Sequence, residues 1–355
     1  MLPRAPRRRR CRFASLALCL LLLGAEAARA AGWSEALQTA VVRVDGETPG
    51  RLGLYVRDLG SGETMSHGGD AFWYLGSTVK VMVAIAVLQE VDAGALRLGD
   101  VVSLAAADRI EAGQLVWQPV GTRYTIDALL KRMLGDSDNT AANMLIRRVG
   151  VGRLNESARA ALGAAGVGEL TDFAAIRRDV YAEIHPAARE LSNDALVRIA
   201  AAPLGPERVE AVRRAVGRPA GELRAKTIGE AYDRYYRTRR NSATLEAYAA
   251  MLEKLVRGQL LSPASTERLF AHMKLGIYTN YRLQAGLPRS VSFIHKTGTQ
   301  YLRACHAGAI APEGGGARAI VVAACTADLD EQREAGTVLK RVGQAISQTV
   351  LAAPR

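Results

Sequence analysis

The segment STVKVMVAIAVLQEVDAGAL, residues 77–96, separates two kinds of secondary structure along the chain. Its apolar run predicts a buried helix that directly follows a strand-like region. It carries Lys80, one of only seven lysines in an arginine-rich chain, three residues after Ser77. Helical side chains three positions apart share a face. Because burial lowers the pKa of a lysine whereas an arginine stays protonated, Lys80 is suited to take a proton from the Ser77 hydroxyl. An ordinary lysine that reaches solvent is the alternative.

Strand patterns occur near both ends of the chain, and helical patterns fill the middle. Before residue 77, an amphipathic helix from Trp33 to Val44 precedes two or three short strands within residues 50–76. Helices are predicted from about Ser77 to Ala271, including one that begins at Ser242. Strand signals then return, and a final helix closes the chain; these segments are residues 291–298, 303–311, 318–325 and 330–351.

This order predicts an α/β fold, layered in the α+β manner. One antiparallel sheet is built from the N- and C-terminal segments, flanked by the terminal helices, and an all-helical lobe is inserted. We expect one catalytic domain over residues 31–355. Its α/β lobe comprises residues 31–76 and 285–355, and its helical lobe comprises residues 77–284.

The first thirty residues predict a secretory signal that is cleaved before Ala31. They combine seven arginines, a short apolar run from Ala14 to Ala25, and small residues at Ala28 and Ala30. The alternative is a membrane anchor, but the run is too short to span a bilayer comfortably. Export predicts a periplasmic or secreted protein without stable membrane insertion after cleavage.

Charge and histidine spacing exclude several classes of partner. The signal holds +6 of the formal +12 charge, and the remainder has no long basic run interleaved with aromatic residues. We therefore expect no nucleic-acid partner. We also expect the protein to be a monomer. The five histidines lack metal-ligand spacing, so we expect no metal and no organic cofactor. His295 is interpreted as a strand side chain on the opposite face from Lys296.

The two cysteines outside the signal, Cys305 and Cys325, lie in strand-like runs that are mirror images about the turn at Gly315. A hairpin centred there would place them opposite each other. In an exported protein this predicts a disulfide. Two buried thiols in adjacent strands is the alternative.

Two further motifs carry polar chemistry. GDSDNTAAN, residues 135–143, offers the Ser137 hydroxyl as a proton relay and the Asn139 amide as a holder of Lys80 and substrate, unless it is a plain helix N-cap. IHKTGT, residues 294–299, ends a strand whose edge would receive a substrate. There Lys296 and Thr297 would meet an anionic group, beside Gly298, unless the motif is a hairpin turn with a solvent-facing lysine. The backbone N–H groups of Ser77 and Thr299 would form an oxyanion hole.

Together, in this order, S-x-x-K, S-D-N and K-T-G resemble the motif set of class A β-lactamases and penicillin-binding proteins. The likeness extends to the segments at residues 252–270 and 283–288. It implies Ser77 as acylated nucleophile, Lys80 as base, Ser137 as relay and Asn139 as anchor. Lys296 and Thr297 would bind the substrate carboxylate, with Arg303 as a second contact. The family's two-lobed fold matches the layout predicted above.

The chain departs from the family where a glutamate in an E-x-x-L-N context activates the deacylating water. The stretch after Ser137 is tens of residues longer than the family needs, and that motif is not found there. Glu230 is the candidate by distance from residue 242, and Asp179 and Glu183 are rivals by distance from Ser137.

Three functions are therefore compared. The first is a β-lactamase that hydrolyses the lactam amide. The second is a D,D-peptidase or amidase on cell-wall peptides, or a penicillin-binding protein with slow deacylation. The third is a non-catalytic sensor of such ligands, which the intact motifs disfavour. A Ser–His–Asp hydrolase is disfavoured because GDSDN lacks the final glycine of a nucleophile elbow.

Overall fold

The computed structural model describes residues 32–274 and 280–353, with the side chain of Lys274 left out. The predicted signal, residues 1–30, lies outside the described residues. The predicted α/β fold is confirmed: a mixed structure of helices around an antiparallel sheet.

One five-stranded antiparallel sheet is built from both ends of the chain, as predicted. Its strands are β1 (Arg51–Asp58), β2 (Thr64–His67), β7 (Phe293–Gln300), β8 (Arg303–Ile310) and β9 (Ile320–Ala327). Their spatial order is β2-β1-β9-β8-β7, and each neighbouring pair is antiparallel. Every residue of β8 and β9 is buried, because helices cover both faces of the sheet.

The cysteine pair follows from this register. Cys305 in β8 lies directly opposite Cys325 in β9. The structure joins them by a disulfide, with Cα atoms 4.0 Å apart. The bond closes a loop of 20 residues between adjacent strands, which limits the freedom of the unfolded chain.

The α-helices of the described residues are mostly joined by short loops. They are α1 (Trp33–Gly46), α2 (Lys80–Asp92), α3 (Ile126–Gly135), α4 (Asn139–Val149), α5 (Val151–Leu162), α6 (Phe173–Ile184), α7 (Asn193–Ala200), α8 (Pro206–Val216), α9 (Ile228–Arg237), α10 (Leu245–Val256), α11 (Pro263–Lys274) and α12 (Glu334–Gln348). Many begin at side-chain caps; Asp138, for example, accepts a hydrogen bond from the backbone of Ala141 at the start of α4.

Two small strand pairs interrupt the helical region. β3 (Phe72–Tyr74) pairs with β6 (Ser242–Thr244), and β4 (Val101–Ser103) pairs with β5 (Arg123–Thr125). The prediction of a helix beginning at Ser242 is wrong by three residues. Ser242–Thr244 is a strand because β3 pairs with it, and the Thr244 hydroxyl then caps α10.

The sheet separates two apolar cores. The smaller core joins α1 and α12 to one face of the sheet, through residues such as Leu37, Leu54 and Leu339. The larger core joins the other face to the helices between residues 80 and 274, with α2 at its centre. All residues of α2 from Lys80 to Leu88 are buried. None of the helices in the described ranges combines the length and apolar composition of a membrane span.

Candidate active site

Ser77 lies in a single 3₁₀ turn, Gly76–Val79, between β3 and α2. This turn packs against the end of β7 so closely that only glycines fit at the contact. A Cβ on Gly298 would lie 2.0 Å from the Leu75 carbonyl oxygen, and one on Gly76 would lie 2.7 Å from the Thr299 nitrogen. The backbone nitrogens of Ser77 and Thr299 therefore border one narrow gap.

Lys80 begins α2 and is fully buried. Its Nζ lies 3.1 Å from Ser77 Oγ, 3.2 Å from Ser137 Oγ, 2.5 Å from the Ser137 carbonyl oxygen and 2.7 Å from Asn139 Oδ1. Burial, followed by the charge of Lys296, lowers the pKa of Lys80 well below its usual value, while Asp138 acts in the opposite direction. An amine with a lowered pKa can accept the Ser77 proton.

Ser137 links the two lysines of the site. Its Oγ accepts hydrogen bonds from Lys80 Nζ and, at 3.1 Å, from Lys296 Nζ. Ser137 holds a left-handed backbone conformation, with φ of 58°, which is costly for a residue with a side chain. Asn139, the first residue of α4, fixes the neighbouring loop because its Nδ2 donates to the Glu111 carbonyl oxygen at 2.8 Å.

Lys296 lies on β7 with only 3% of its surface exposed. Burial, followed by the charge of Arg282, lowers the pKa of Lys296 to about 7. Arg282 is itself buried behind the strand end. Its guanidinium donates to the Gly298 carbonyl oxygen at 2.7 Å and to Thr299 Oγ1 at 2.8 Å. The sequence analysis missed Arg282, although it immediately precedes the family-like segment at residues 283–288.

The structure does not bring Arg303 to this site, which corrects the expectation of a second carboxylate contact. In the hairpin register Arg303 pairs with Gln300, beyond the lysine–threonine–glycine motif. Its guanidinium donates to Asp328 at 2.8 Å and stacks over Tyr236. The arginine beside the motif is Arg282 instead.

These side chains open onto a cavity of about 590 Å³. Its lining includes the predicted site residues Ser77, Ser137, Asn139, Thr297 and Thr299. Phe173, the first residue of α6, also lines the cavity, and its ring centroid lies 4.6 Å from Lys80 Nζ.

The segment that begins at Phe173 forms part of the cavity wall, where the family's E-x-x-L-N motif was expected to supply a glutamate. Residues 173–177 read Phe-Ala-Ala-Ile-Arg and contain no carboxylate. Phe173, Ile176 and Arg177 all line the cavity.

None of the three carboxylates predicted for water activation lines this cavity. Glu230 is exposed and accepts a hydrogen bond from the Lys226 backbone at 2.7 Å, at the start of α9. Asp179 is bound by Arg189 and Arg240, each at 2.7 Å. Glu183 is half-buried on α6.

One other carboxylate lines the cavity and a second binds an arginine that lines it, and both are ion-paired. Asp136 lines it and binds Arg132 at 3.0 Å. Glu111 pairs with Arg177, and its other oxygen is buried without a hydrogen-bond partner among the described residues. Arg177 also donates to the Tyr232 hydroxyl at 2.7 Å and to Gln300 at 3.2 Å, so it ties α6 to α9 and the end of β7.

Comparison with known proteins finds curated β-lactamases that match part of this chain. A β-lactamase of Rhodobacter capsulatus is 37% identical over 116 residues, which are 33% of this chain and 40% of that protein. A β-lactamase of Amycolatopsis lactamdurans is 31% identical over 128 residues, 36% of this chain and 42% of that protein. The chain thus spans less than half the length of these curated relatives.

Solved structures with the same fold cover far more of the chain. A β-lactamase from Xanthomonas campestris has a TM-score of 0.66 at 24% identity, covering 90% of this chain and 100% of that one. A structure of PBP-A has a TM-score of 0.65 at 21% identity, covering 90% and 97%. Because the model of the family described as "Beta-lactamase enzyme family" matches residues 34–350, this chain belongs to the β-lactamase enzyme family.

Proposed function

We propose that this protein is a serine acyl-hydrolase of the class A type, which opens β-lactam amides through an ester on Ser77, and that this ester is hydrolysed slowly. One observation carries the proposal: a continuous hydrogen-bonded path runs from Ser77 Oγ through Lys80 Nζ and Ser137 Oγ to Lys296 Nζ, with steps of 3.1, 3.2 and 3.1 Å. Such a path supplies a base for the nucleophile and a donor for the leaving nitrogen.

The acylation step uses groups that are already in place. Neutral Lys80 takes the Ser77 proton as Oγ attacks the lactam carbonyl carbon. The backbone N–H groups of Ser77 and Thr299 stabilise the oxyanion. Ser137 passes a proton to the nitrogen that leaves, while charged Lys296 and Thr297 hold the substrate carboxylate. Arg282 positions the strand end rather than touching substrate, because it is buried behind Gly298 and Thr299.

Slow hydrolysis follows from the wall that faces the ester. The residue over Lys80 is Phe173, which cannot activate water. The carboxylates of Asp136 and Glu111 are each engaged by an arginine. This arrangement supports the second of the functions compared above, a penicillin-binding protein with slow deacylation. A fold neighbour, a point mutant of PBP-A, has been solved as an acyl-enzyme complex with penicillin G.

We also propose export to the periplasm or medium, with residues 1–30 as the signal and β-lactams or cell-wall peptides as substrates. The Cys305–Cys325 disulfide supports this, since disulfides persist in oxidising compartments.

Mass spectrometry of the intact protein with penicillin G over time tests the proposal. Wild type should gain one penicillin mass and hold it, whereas Ser77→Ala should gain none. Phe173→Glu should shorten the lifetime of the adduct by about a hundredfold, and Phe173→Gln, of the same size but without a base, should not. An adduct on Ser77→Ala would refute the nucleophile, and rapid turnover by wild type would refute slow hydrolysis.

A further inference from the structure

A second cavity, of about 440 Å³, is lined by guanidinium groups that stack on aromatic rings. Three of these stacks border it: Arg51 over Trp73 at 5.5 Å, Arg239 over Phe72 at 4.9 Å, and Arg303 over Tyr236 at 4.4 Å. We call it the arginine cavity. A stacked guanidinium keeps its N–H donors free around its edge, where they can fork onto an anionic group.

The charges around the arginine cavity do not balance. Four arginines line it, the three above and Arg237, against two aspartates, Asp233 and Asp328, a formal excess of +2. Asp328 is shared by Arg51 at 3.1 Å and Arg303 at 2.8 Å. Within the described ranges, Arg237 and Arg239 make no ion pair with a carboxylate. Their charge is therefore available to a ligand.

The turn that carries Arg239 is held in place by hydrogen bonds of the buried Asn241 side chain. Asn241 is fully buried, and its amide exchanges hydrogen bonds with Thr171, accepting from the backbone nitrogen at 3.1 Å and donating to Oγ1 at 2.9 Å. Arg239 and Asn241 both have positive φ, of 58° and 51°. A backbone held in this sparsely populated region fixes the position of the Arg239 Cα, so less entropy is lost when its side chain binds a ligand.

We propose that the arginine cavity binds a ligand through a doubly charged phosphate group, either a free diphosphate or the phosphomonoester headgroup of an anionic lipid. A phosphate fits better than a single carboxylate because two unpaired guanidinium groups can share its charge and its several acceptor oxygens. The site is separate from the Ser77 cavity. Tyr74 lines both cavities, so its ring forms the wall between them.

Calorimetry with inorganic pyrophosphate at low ionic strength tests the proposal. The double variant Arg237→Gln/Arg239→Gln should bind pyrophosphate at least about tenfold more weakly than wild type. Arg148→Gln/Arg198→Gln removes the same two charges from exposed positions on α4 and α7 and should bind within about twofold of wild type. No binding by wild type, or equal losses in both doubles, would overturn the proposal.

Vesicles separate the two sources of phosphate. Sedimentation with vesicles that contain phosphatidic acid, a phosphomonoester, but not with pure phosphatidylcholine vesicles, would identify a lipid headgroup if it requires Arg237 and Arg239. Pyrophosphate binding without vesicle binding would identify a soluble phosphate. Both results support the site, and neither depends on acylation of Ser77, which we expect to be unchanged in both doubles.

Discussion

At the scale of single residues, the site depends on two buried lysines that share one serine. Ser137 Oγ lies 3.2 Å from Lys80 Nζ and 3.1 Å from Lys296 Nζ. Two charged amines so close together in a buried site repel each other, and burial penalises both. Burial lowers the pKa of each lysine, with a smaller contribution from Lys296 at Lys80 and from Arg282 at Lys296, and Lys80, which contacts Ser77 Oγ, is thereby suited to accept its proton.

The lowered pKa of Lys296, about 7, predicts a pH dependence of acylation. If charged Lys296 binds the penicillin carboxylate, the second-order rate of acylation should fall as the pH rises through about 7, approaching tenfold per pH unit above it. Lys296→Arg keeps its charge over this range and should lose the fall. Rates of labelling by a fluorescent penicillin between about pH 6 and 9 measure this. The same fall in the variant would assign the titration to another group.

The residues that sequence analysis identified and those it missed differ in one physical respect. Ser77, Lys80, Ser137 and Lys296 lie in short motifs whose spacing reflects local geometry, such as one helical turn between Ser77 and Lys80. Arg282 acts on Gly298 from a segment 16 positions away, and no local spacing encodes that contact. Arg303 was assigned to the site by the family resemblance, whereas the hairpin register directs it to Asp328.

At the scale of elements, the decisive contact is between the turn that carries Ser77 and the end of β7. Both partners present glycine, Gly76 and Gly298, and a Cβ at either would clash with backbone atoms of the other element. A backbone cannot move aside as a long side chain can, so the distance between the two elements is fixed by the lack of side chains. The same contact sets the separation of the proposed oxyanion-hole nitrogens.

Gly298→Ala should therefore impair acylation as well as stability. Its Cβ would lie 2.0 Å from the Leu75 carbonyl oxygen and 3.2 Å from the Ser77 nitrogen, so β7 and the turn must separate. We expect acylation by penicillin G to slow by about a hundredfold, as for a lost oxyanion donor, with about 1–3 kcal/mol of destabilisation. Gly336→Ala on α12, where a Cβ meets nothing within 4 Å, is the control. Labelling at the wild-type rate would show that this contact does not set the geometry.

The large elements were predictable from the sequence, but the short pairings were not. Alternating and helical periodicity identified an antiparallel sheet built from both ends of the chain, and the mirrored positions of Cys305 and Cys325 identified their register. β6 was interpreted as the start of a helix. Its three residues form a strand only because β3, 170 positions earlier in the chain, pairs with them, and such context overrides local propensity.

At the scale of the whole molecule, the sheet separates the face that carries Lys296 from a face with its own titrating groups. His295 follows the strand alternation away from Lys296, as predicted, and its ring packs 4.4 Å from that of His306. Phe293 of the smaller core lies 4.9 and 5.3 Å from the two rings. His306 is fully buried, and neither of its ring nitrogens has a hydrogen-bond partner among the described residues.

This histidine pair should make global stability fall in mild acid. Burial, then the charge of Lys296, lowers the pKa of His295 to about 4, and burial, then His295, lowers that of His306. The unfolded chain takes up these protons near pH 6.5 while the folded chain does not, so the free energy of unfolding decreases from about pH 6.5 towards pH 4. For His295 alone the decrease is about 3 kcal/mol. Urea titrations at several pH values measure it. His306→Phe removes one titrating ring from this apolar contact and should make the decrease smaller, whereas an unchanged pH dependence in that variant would place the source of acid instability elsewhere in the molecule.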